Sequence, residues 1–169
     1  MIPEKHVAES GLTLIELMVV IVLLAILVTV GVPSFQSLVV QNRAVALSND
    51  LLYHLQLARS QALSQSLPVS VCPIVTGNSS VCSGTTDWGE GWILFIDENG
   101  DGSVNGTDSI LRVMQESKQV TSFSGPEWVT YTSVGGASIS SFSIVIEQVE
   151  RWVCVELSGR AEVSETGCS

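Results

Sequence analysis

The sequence predicts an α+β protein in which one long amino-terminal helix packs against an antiparallel β-sheet. Residues 12–66 keep a helical pattern, apolar on all sides at first and then on one side only. From residue 67 onward, short runs rich in Val, Ile, Phe and Trp alternate with turn sequences such as ENGDG and GGAS. The 169 residues suffice for one domain with a core plus an appendage.

The first element is an apolar run over residues 12–33, which is long enough to cross a bilayer. At about 1.5 Å per residue it reaches about 30 Å, the thickness of the hydrocarbon layer. A carboxylate in hydrocarbon costs roughly 2.5–3.5 kcal/mol on insertion scales, so Glu16 needs a partner or a function. A cleaved secretory signal would place its small residue after a shorter apolar core, whereas Gly11 precedes this run.

The second element is the amphipathic continuation of the helix over residues 34–66. Its apolar stripe follows steps of three and four and consists of Val40, Ala44, Leu47, Leu51, Leu55, Ala58 and Ala62. Because Pro33 removes a helical hydrogen bond, it is expected to kink or loosen the helix together with Gly31. The Leu67-Pro68 pair predicts the end of the helix.

The remaining elements are β-strands, and residues 67–169 are predicted to form one β-rich domain. The strand-like runs are VSVCPIV, WILFID, SILRVM, WVTYT, FSIVIE and RWVCVEL. Packing an antiparallel sheet onto the amphipathic half of the helix buries the apolar faces of both.

Composition restricts the partners and the compartment. With 17 acidic and 7 basic side chains the net charge is −10, which repels phosphate backbones and anionic lipids.

The spacing of the four cysteines, Cys72, Cys82, Cys154 and Cys168, does not suit zinc. Disulfides in an oxidising compartment are favoured over four reduced core thiols. Of the three possible pairings we favour the two that are local in sequence, Cys72–Cys82 and Cys154–Cys168.

The residue pattern does not indicate an enzyme. His54 lies in the helix with no cysteine or carboxylate at the spacing of a triad or a metal site, so a surface or domain-facing position is expected. Serine occurs in no Gly-x-Ser-x-Gly motif, and no phosphate-binding glycine loop precedes a helix. The tryptophans are interpreted as anchors of the sheet rather than as a platform for a ligand.

The stretch DENGDGSVNGTD, residues 97–108, admits two interpretations. Oxygen-bearing side chains occupy the positions of a twelve-residue calcium loop, with Gly102 at the sixth; they are Asp97, Asn99, Asp101, Ser103, Asn105 and Asp108. A hairpin built on Asn99-Gly100 and Asp101-Gly102 explains the same residues without a metal, and we favour it. Calcium stays the alternative cofactor, because bound cations would relieve the repulsion between these carboxylates.

The stretch SGLTLIELMVVIVLLAIL resembles the class III signal of type IV pilins and type II secretion pseudopilins. The matching residues are Gly11, Thr13, Leu14, Glu16 and Pro33. The resemblance implies that a prepilin peptidase cleaves after Gly11, releases the leader 1–11 and methylates the new amino terminus at Leu12. It also implies that Glu16 meets the amino terminus of a neighbouring subunit in a filament. Leu12 replaces the more common Phe, and Glu4 and Glu9 make the leader less basic than usual.

Later motifs resemble the GspH/FimT family of minor pilins and pseudopilins. They are LQLARSQALSQSLPVSVC, WGEGWILFIDENGDG, ILR and SGRAEV. The paired cysteines and the FIDENGDG loop look more like FimT/FimU-type minor pilins than like pseudopilin H of type II secretion.

The resemblance implies a non-enzymatic minor subunit that primes a type IV pilus or assembles into it. The alternatives are the type II secretion pseudopilus and DNA capture during natural transformation. The implied location is the bacterial inner membrane, crossed once, with the globular domain in the periplasm or in the fibre. The implied partners are major and minor pilins or pseudopilins, the prepilin peptidase and the inner-membrane assembly platform.

One short motif bears on the alternative function of DNA capture. Some relatives are understood to use a carboxy-terminal Gly-Arg-x-Arg sequence, and the matching stretch here is Gly159-Arg160-Ala161-Glu162. The second basic position is an acid, and one arginine cannot supply several phosphate contacts. Weak or no DNA binding is therefore expected at Arg160.

Overall fold

The computed structural model describes residues 13–75, 77–115 and 120–168. They form one helix and nine strands: α1 Leu14–Gln65, β1 Val69–Val75, β2 Asn78–Cys82, β3 Gly91–Ile96, β4 Ser109–Gln115, β5 Ser122–Ser124, β6 Val129–Tyr131, β7 Ser140–Ile146, β8 Val149–Val155 and β9 Ala161–Ser164. The α+β fold predicted from the sequence is confirmed, with a long amino-terminal helix and an antiparallel β domain. The chain divides after Val39 into two compact units.

The first unit contains the amino-terminal part of α1. Its described side chains up to Leu38 are exposed, although most of them are apolar. Helical structure continues through Pro33. The helix is long and apolar enough to cross a membrane, as the sequence predicts.

The second unit is built on the carboxy-terminal part of α1, which buries the predicted apolar stripe. Its buried residues are Val40, Ala44, Leu51, Leu55, Ala58 and Ala62. Leu47 is only partly buried, and Ser48 lies inside, where its hydroxyl donates to the carbonyl of Ala44 at 2.7 Å. The helix ends at Gln65; Ser66 then takes the left-handed conformation, with φ of 56°, ahead of Pro68.

The β domain consists of two antiparallel sheets rather than one. The first has the order β2-β1-β3-β4, and β6 pairs with the same edge of β1 as β2 does. The second has the order β5-β7-β8-β9. The alternating residues Phe142, Ile144 and Ile146 of β7 are buried in the main core together with the stripe of α1. Both sheets therefore share one core with the helix.

The central strands β1 and β3 of the first sheet are covered on both faces. Val69 and Val71 of β1 enter the main core, whereas the opposite face carries a smaller cluster of Cys72, Ile74, Ile93 and Phe95. Val104, from the connection between β3 and β4, packs against this smaller cluster. The acidic loop 97–108 thus contributes to the cover of the outer face of the sheet.

Candidate functional site

The amino terminus of α1 is capped by its own sequence. The hydroxyl oxygen of Thr13 accepts the backbone N–H of Glu16 at 3.3 Å. This is the first half of a capping box, in which a threonine and a glutamate three residues later satisfy free N–H groups of the first turn. The Glu16 side chain is exposed and forms no hydrogen bond with the other described residues. Gly11 and Leu12, the predicted processing positions, lie outside the described residues.

Two hydroxyl groups in the first unit of α1, those of Thr29 and Ser37, are satisfied within the helix. Thr29 donates to the carbonyl of Ile26 at 2.9 Å, and Ser37 donates to that of Ser34 at 2.8 Å. Such bonds remove the penalty of an unpaired polar group in hydrocarbon. This part of the helix is therefore compatible with an apolar environment, with Glu16 as its one acidic or basic residue before Val39 among the described residues.

Asp97, the first residue of the acidic loop, is fully buried and organises the loop. Its Oδ1 accepts the backbone N–H of Gly100 at 2.7 Å and that of Asp101 at 3.1 Å. Its Oδ2 accepts the N–H of Gly102 at 2.9 Å and the hydroxyl of Ser70 on β1 at 2.6 Å. Hydrogen bonds from four protein donors therefore offset the cost of burying this charge.

The other acidic side chains of the loop also form local bonds. Asp108 accepts the N–H groups of Glu98 at 3.2 Å and Asn105 at 2.9 Å. Asp101 accepts the N–H of Ser103 at 2.8 Å, and this bond is the main cause of its lowered pKa. Desolvation opposes this lowering, and the side-chain amides of Asn105 and Asn99 lower the pKa of Asp101 further.

A glycine is required at the tip of the loop. Gly102 has φ of 74°, and a Cβ atom there would lie 2.5 Å from the Trp128 ring. Trp128 therefore lies against the loop backbone, although the ring itself is partly exposed. The described residues contain no group of three or more His, Cys, Asp or Glu side chains arranged to hold a metal. Strands β3 and β4 pair as far as Ile96 and Ser109, so residues 97–108 form the connection between them, and the hairpin interpretation stays a prediction.

The cysteines form two disulfides, which are the two pairings local in sequence. Cys72 on β1 is bonded to Cys82 on β2, with 5.6 Å between their Cα atoms. Cys154 on β8 is bonded to Cys168 near the carboxy terminus, with 5.5 Å between their Cα atoms. Each bond ties a segment at the edge of a sheet to a strand of that sheet.

His54 lies at a domain-facing position, which is one of the two positions expected for it, the other being the surface. It is 6% exposed, its Nδ1 donates to the carbonyl of Asp50 at 2.8 Å, and its ring meets Trp92 edge-on. Trp88 and Trp92 are buried and pack with Phe123, and Trp88 also donates its indole N–H to the carbonyl of Pro126. These rings join the helix to the sheets, in agreement with their interpretation as anchors.

Arg59 connects α1 to two turns, a role that the sequence pattern did not predict. Its Nε donates to the carbonyl of Gly135 at 3.0 Å, and its Nη2 donates to that of Ser158 at 2.8 Å. We call Arg59 with these two carbonyls the arginine clamp. In the sequence, the signal for this role was the position of Arg59 next to Ala58 of the apolar stripe. A long side chain at that position can reach the rim of the core.

The clamp joins two turns that already lie close together. Gly159 has φ of 74°, and a Cβ atom there would lie 1.9 Å from the carbonyl oxygen of Gly135. Burial raises the pKa of the neighbouring Tyr131 hydroxyl, and the charge of Arg59 opposes this only in part. The clamp therefore fixes a crowded region in which the helix and both turns converge.

Arg160 follows the clamped turn but does not form an isolated basic site. Its guanidinium is exposed and lies 3.2 Å from the carboxylate of Glu162. An arginine that is paired with a carboxylate contributes little to phosphate binding, because its charge is already compensated.

Comparison with known proteins gives two family matches on this chain. Residues 47–160 match the family described as type II transport protein GspH, and residues 8–32 match the prokaryotic N-terminal methylation motif. The comparison with curated proteins gave no significant match.

Two kinds of solved structure share the fold. The type IV minor pilin FimU of Pseudomonas aeruginosa is 20% identical with a TM-score of 0.59, and the alignment covers 76% of this chain and 95% of that chain. The minor pseudopilin EpsH of the Vibrio cholerae type 2 secretion system is 11% identical with a TM-score of 0.52, covering 73% of this chain and 97% of that chain. At these identities the likeness establishes the fold alone. Because the GspH match at residues 47–160 extends over more than half of the chain, the chain belongs to the GspH family.

Proposed function

We propose that this chain is a non-enzymatic minor pilin that is inserted in the bacterial inner membrane and assembles into, or primes, a type IV pilus. One observation carries the proposal: the N-terminal methylation motif coincides with the exposed apolar part of α1, and the GspH match covers the domain built on the rest of that helix. A chain with an apolar exposed helix and a self-contained β domain is suited to lateral packing through the helix.

The non-enzymatic part of the proposal is supported by the positions of the residues that catalysis would use. His54 is enclosed by the helix and aromatic rings, and all four cysteines are in disulfides. Asp97 is held by hydrogen bonds from four donors of its own fold. The side chains whose chemistry could support catalysis therefore stabilise the domain instead.

Glu16 is proposed to set the axial register between subunits. Cleavage after Gly11 would create a positive amino group at Leu12, and the Glu16 carboxylate is exposed and unpaired with the other described residues. The Thr13 hydroxyl already satisfies the backbone N–H of Glu16. Because it has no partner among the described residues, the carboxylate is available to an amino group of a neighbouring subunit. An ion pair between them in hydrocarbon would favour one axial register of the two helices over others.

The proposed compartment follows from the same features. The prepilin peptidase would process the leader 1–11, leaving α1 as a single membrane anchor and the disulfide-bonded domain in the oxidising periplasm. The other partners would be major and minor pilins and the inner-membrane assembly platform. From the inner membrane the subunit can be retained at the base of the pilus or enter the fibre.

A role in the type II secretion pseudopilus is the second candidate. The description of the matching family, type II transport protein GspH, favours it. The physical roles of α1, Glu16 and the β domain are the same in both assemblies.

A deletion strain separates the two candidates. If the chain is a pilus subunit, its deletion should reduce surface pili and twitching motility, and the wild-type chain should restore them. Secretion of type II substrates should stay at the wild-type level. Loss of secretion with intact twitching would assign the chain to the pseudopilus, and an unchanged phenotype in both assays would contradict both assignments.

A further inference from the structure

Asparagine precedes glycine at two positions of the acidic loop, Asn99-Gly100 and Asn105-Gly106. Asparagine is among the chemically least durable residues, because the next backbone nitrogen can attack the carbonyl carbon of its side chain. A following glycine favours this attack, since it has no Cβ atom and its backbone adopts more conformations than that of other residues. All four residues are exposed, so water reaches both pairs.

In the first pair the attacking nitrogen is occupied. Gly100 is the last residue of a turn over residues 97–100, and its N–H points into that turn. It donates to Oδ1 of Asp97 at 2.7 Å, with a longer contact of 3.3 Å to the carbonyl of the same residue. Asp97 is fully buried, and a hydrogen bond to an ionised carboxylate is stronger than one between neutral groups. The nitrogen of Gly100 cannot attack Asn99 until this bond breaks.

In the second pair the glycine takes a different position in its turn. Residues 105–108 form a turn that is closed by a 2.9 Å bond from the N–H of Asp108 to the carbonyl of Asn105. Gly106 is the second residue of this turn, with φ of 50°, where the N–H takes no part in closing it. Among the described residues the Gly106 N–H has no hydrogen-bond acceptor. A Cβ atom at Gly106 would meet nothing within 4 Å, so the space beside it is open.

The described contacts of the Asn105 side chain are all with exposed residues. Its Nδ2 donates to Oδ2 of Asp101 at 2.8 Å and to the carbonyl of Ser103 at 3.1 Å. Its Oδ1 accepts the side-chain amide of Asn99 at 3.4 Å. Water can replace these bonds at little net cost when the side chain rotates toward Gly106, because the partners are at the surface.

We propose that Asn105 is a site of spontaneous deamidation in the folded chain and that Asp97 protects Asn99 from the same reaction. The Gly106 nitrogen loses its proton to solvent and forms a bond to Cγ of Asn105. The bond from Cγ to Nδ2 breaks, and this nitrogen leaves as ammonia with a proton from water. Water then opens the resulting succinimide at either carbonyl carbon, which leaves aspartate or isoaspartate at position 105. The only co-reactant is water, and the reaction is independent of the assembly that the chain joins.

The product loosens the acidic loop. A carboxylate replaces the amide that donates to Asp101, so two like charges face each other at a short distance. The pKa of Asp101 is lowered mainly by the N–H of Ser103 and further by the Asn105 amide, so loss of this amide acts in the opposite direction. Val104 packs against the outer cluster of the first sheet directly before the modified residue, and the change therefore reaches the sheet.

The test compares the two asparagines within one protein. The full chain in detergent is kept in mildly alkaline buffer, and peptides containing the loop are analysed by mass spectrometry over time. Deamidation adds about 1 Da, and methylation by a protein isoaspartate methyltransferase identifies the isoaspartyl product. Modification should accumulate at position 105 about tenfold faster or more than at position 99, because Gly100 must first leave a charged acceptor. Asn105→Gln should remove the isoaspartyl signal of the loop, and Asn99→Gln should leave it unchanged.

The unfolded chain is the control for the role of the structure. In concentrated guanidinium chloride both pairs should deamidate at similar rates, because neither glycine N–H is held by Asp97. Similar rates at the two positions in the folded chain would overturn the inference. Modification of Asn105 that occurs only in the unfolded chain would also overturn it.

The loosening of the loop has its own measurement. Asn105→Asp, which reproduces one product, should lower the thermal midpoint of the full chain by about 2 °C or more at neutral pH. The difference from the wild-type chain should disappear as the pH falls below the pKa of the carboxylates, since the repulsion requires both charges. Asn42→Asp makes the same chemical change at an exposed position of α1 and should leave the midpoint nearly unchanged. Equal midpoints for Asn105→Asp and Asn42→Asp would overturn the effect on the loop.

Discussion

At the scale of single residues, two carboxylates in this chain have opposite environments. Glu16 is exposed on an apolar helix and has no hydrogen-bond partner among the described residues, whereas Asp97 is buried and accepts four hydrogen bonds. A carboxylate without a partner on an apolar surface is destabilising unless another molecule supplies a cation. A buried carboxylate with four donors stabilises its own fold. These environments predict an effect on assembly for Glu16 and an effect on folding for Asp97.

Replacing Glu16 should impair assembly without affecting the folded domain. Glu16→Ala removes the proposed ion pair with a neighbouring amino terminus, so incorporation into the fibre should fall, while insertion and cleavage after Gly11 continue. Fractionation and immunoblotting of membranes and sheared pili measure these steps. Glu4→Ala, in the leader that cleavage after Gly11 would remove, is the control and should incorporate normally. Normal incorporation of Glu16→Ala would refute the register role.

Replacing Asp97 should destabilise the β domain. Asp97→Asn keeps the size of the side chain but removes the charge and one acceptor oxygen, so the free energy of unfolding should fall by about 2 kcal/mol. Denaturant titration of the full chain in detergent, followed by the fluorescence of the buried Trp88 and Trp92, measures the change. Asp108→Asn, a partly exposed carboxylate in the same loop, should cost less. Equal losses of unfolding free energy in both variants would show that the burial of Asp97 makes no additional contribution to stability.

At the scale of structural elements, the loop 97–108 and the arginine clamp both hold long-range contacts. The loop places Val104 against the outer cluster of the first sheet, and Asp97 bonds to Ser70 on β1. The clamp joins α1 to the turns before β7 and β9. In each case one side chain bonds to segments that are distant in sequence, so a single substitution should have a measurable effect.

The loop should retain its structure without calcium. Since Asp97, Asp101 and Asp108 already accept hydrogen bonds, millimolar calcium should move the thermal midpoint of the full chain by less than about 2 °C. Calorimetric titration should likewise be flat. A rise of several degrees that disappears in the Asp97→Ala, Asp101→Ala double variant would instead establish the calcium interpretation.

Removing the arginine clamp should destabilise the second unit. Arg59→Met retains much of the apolar stem but leaves the carbonyls of Gly135 and Ser158 without their donors, so unfolding should become easier by about 2 kcal/mol. Arg43→Met, at an exposed position of the same helix, should change stability by less than about 0.5 kcal/mol. The same fluorescence titration compares them, and similar values for both would exclude a structural role for the clamp.

At the scale of the whole molecule, the distribution of charge argues against nucleic-acid binding. The net charge is −10, and Arg160 near the clamped turn is paired with Glu162. Protein–DNA affinity depends on several cations that displace counterions from phosphates. The stretch Gly159-Arg160-Ala161-Glu162 therefore lacks the second cation of a Gly-Arg-x-Arg motif.

A gel shift at low salt should reveal no complex with duplex DNA at about 10 µM protein. Arg160→Ala should leave this result unchanged. Glu162→Arg should increase DNA binding, because it removes the partner of Arg160 and adds a second cation. Micromolar binding by the wild-type chain that Arg160→Ala abolishes would contradict the expectation and support DNA capture.

Several features of the fold and the candidate site could be predicted from the sequence because they depend on neighbours along the chain. The apolar run, the buried stripe from Val40 to Ala62 and most strands follow from local periodicity, which determines which faces must be buried. The short strands β2, β5 and β9 were not predicted, since their sequences are polar or overlap turn signals. They form because longer strands beside them provide partners for their backbone groups.

The sequence by itself determined that this chain has a membrane-length apolar helix, an amphipathic continuation and a β-rich domain, because hydrophobic and turn patterns act locally. Only the tertiary structure decided that the strands form two sheets, that Asp97 organises a loop against β1 and that Arg59 clamps two turns. These features join residues far apart in sequence. Their contacts depend on how the helix and the sheets pack, and no local pattern encodes that packing.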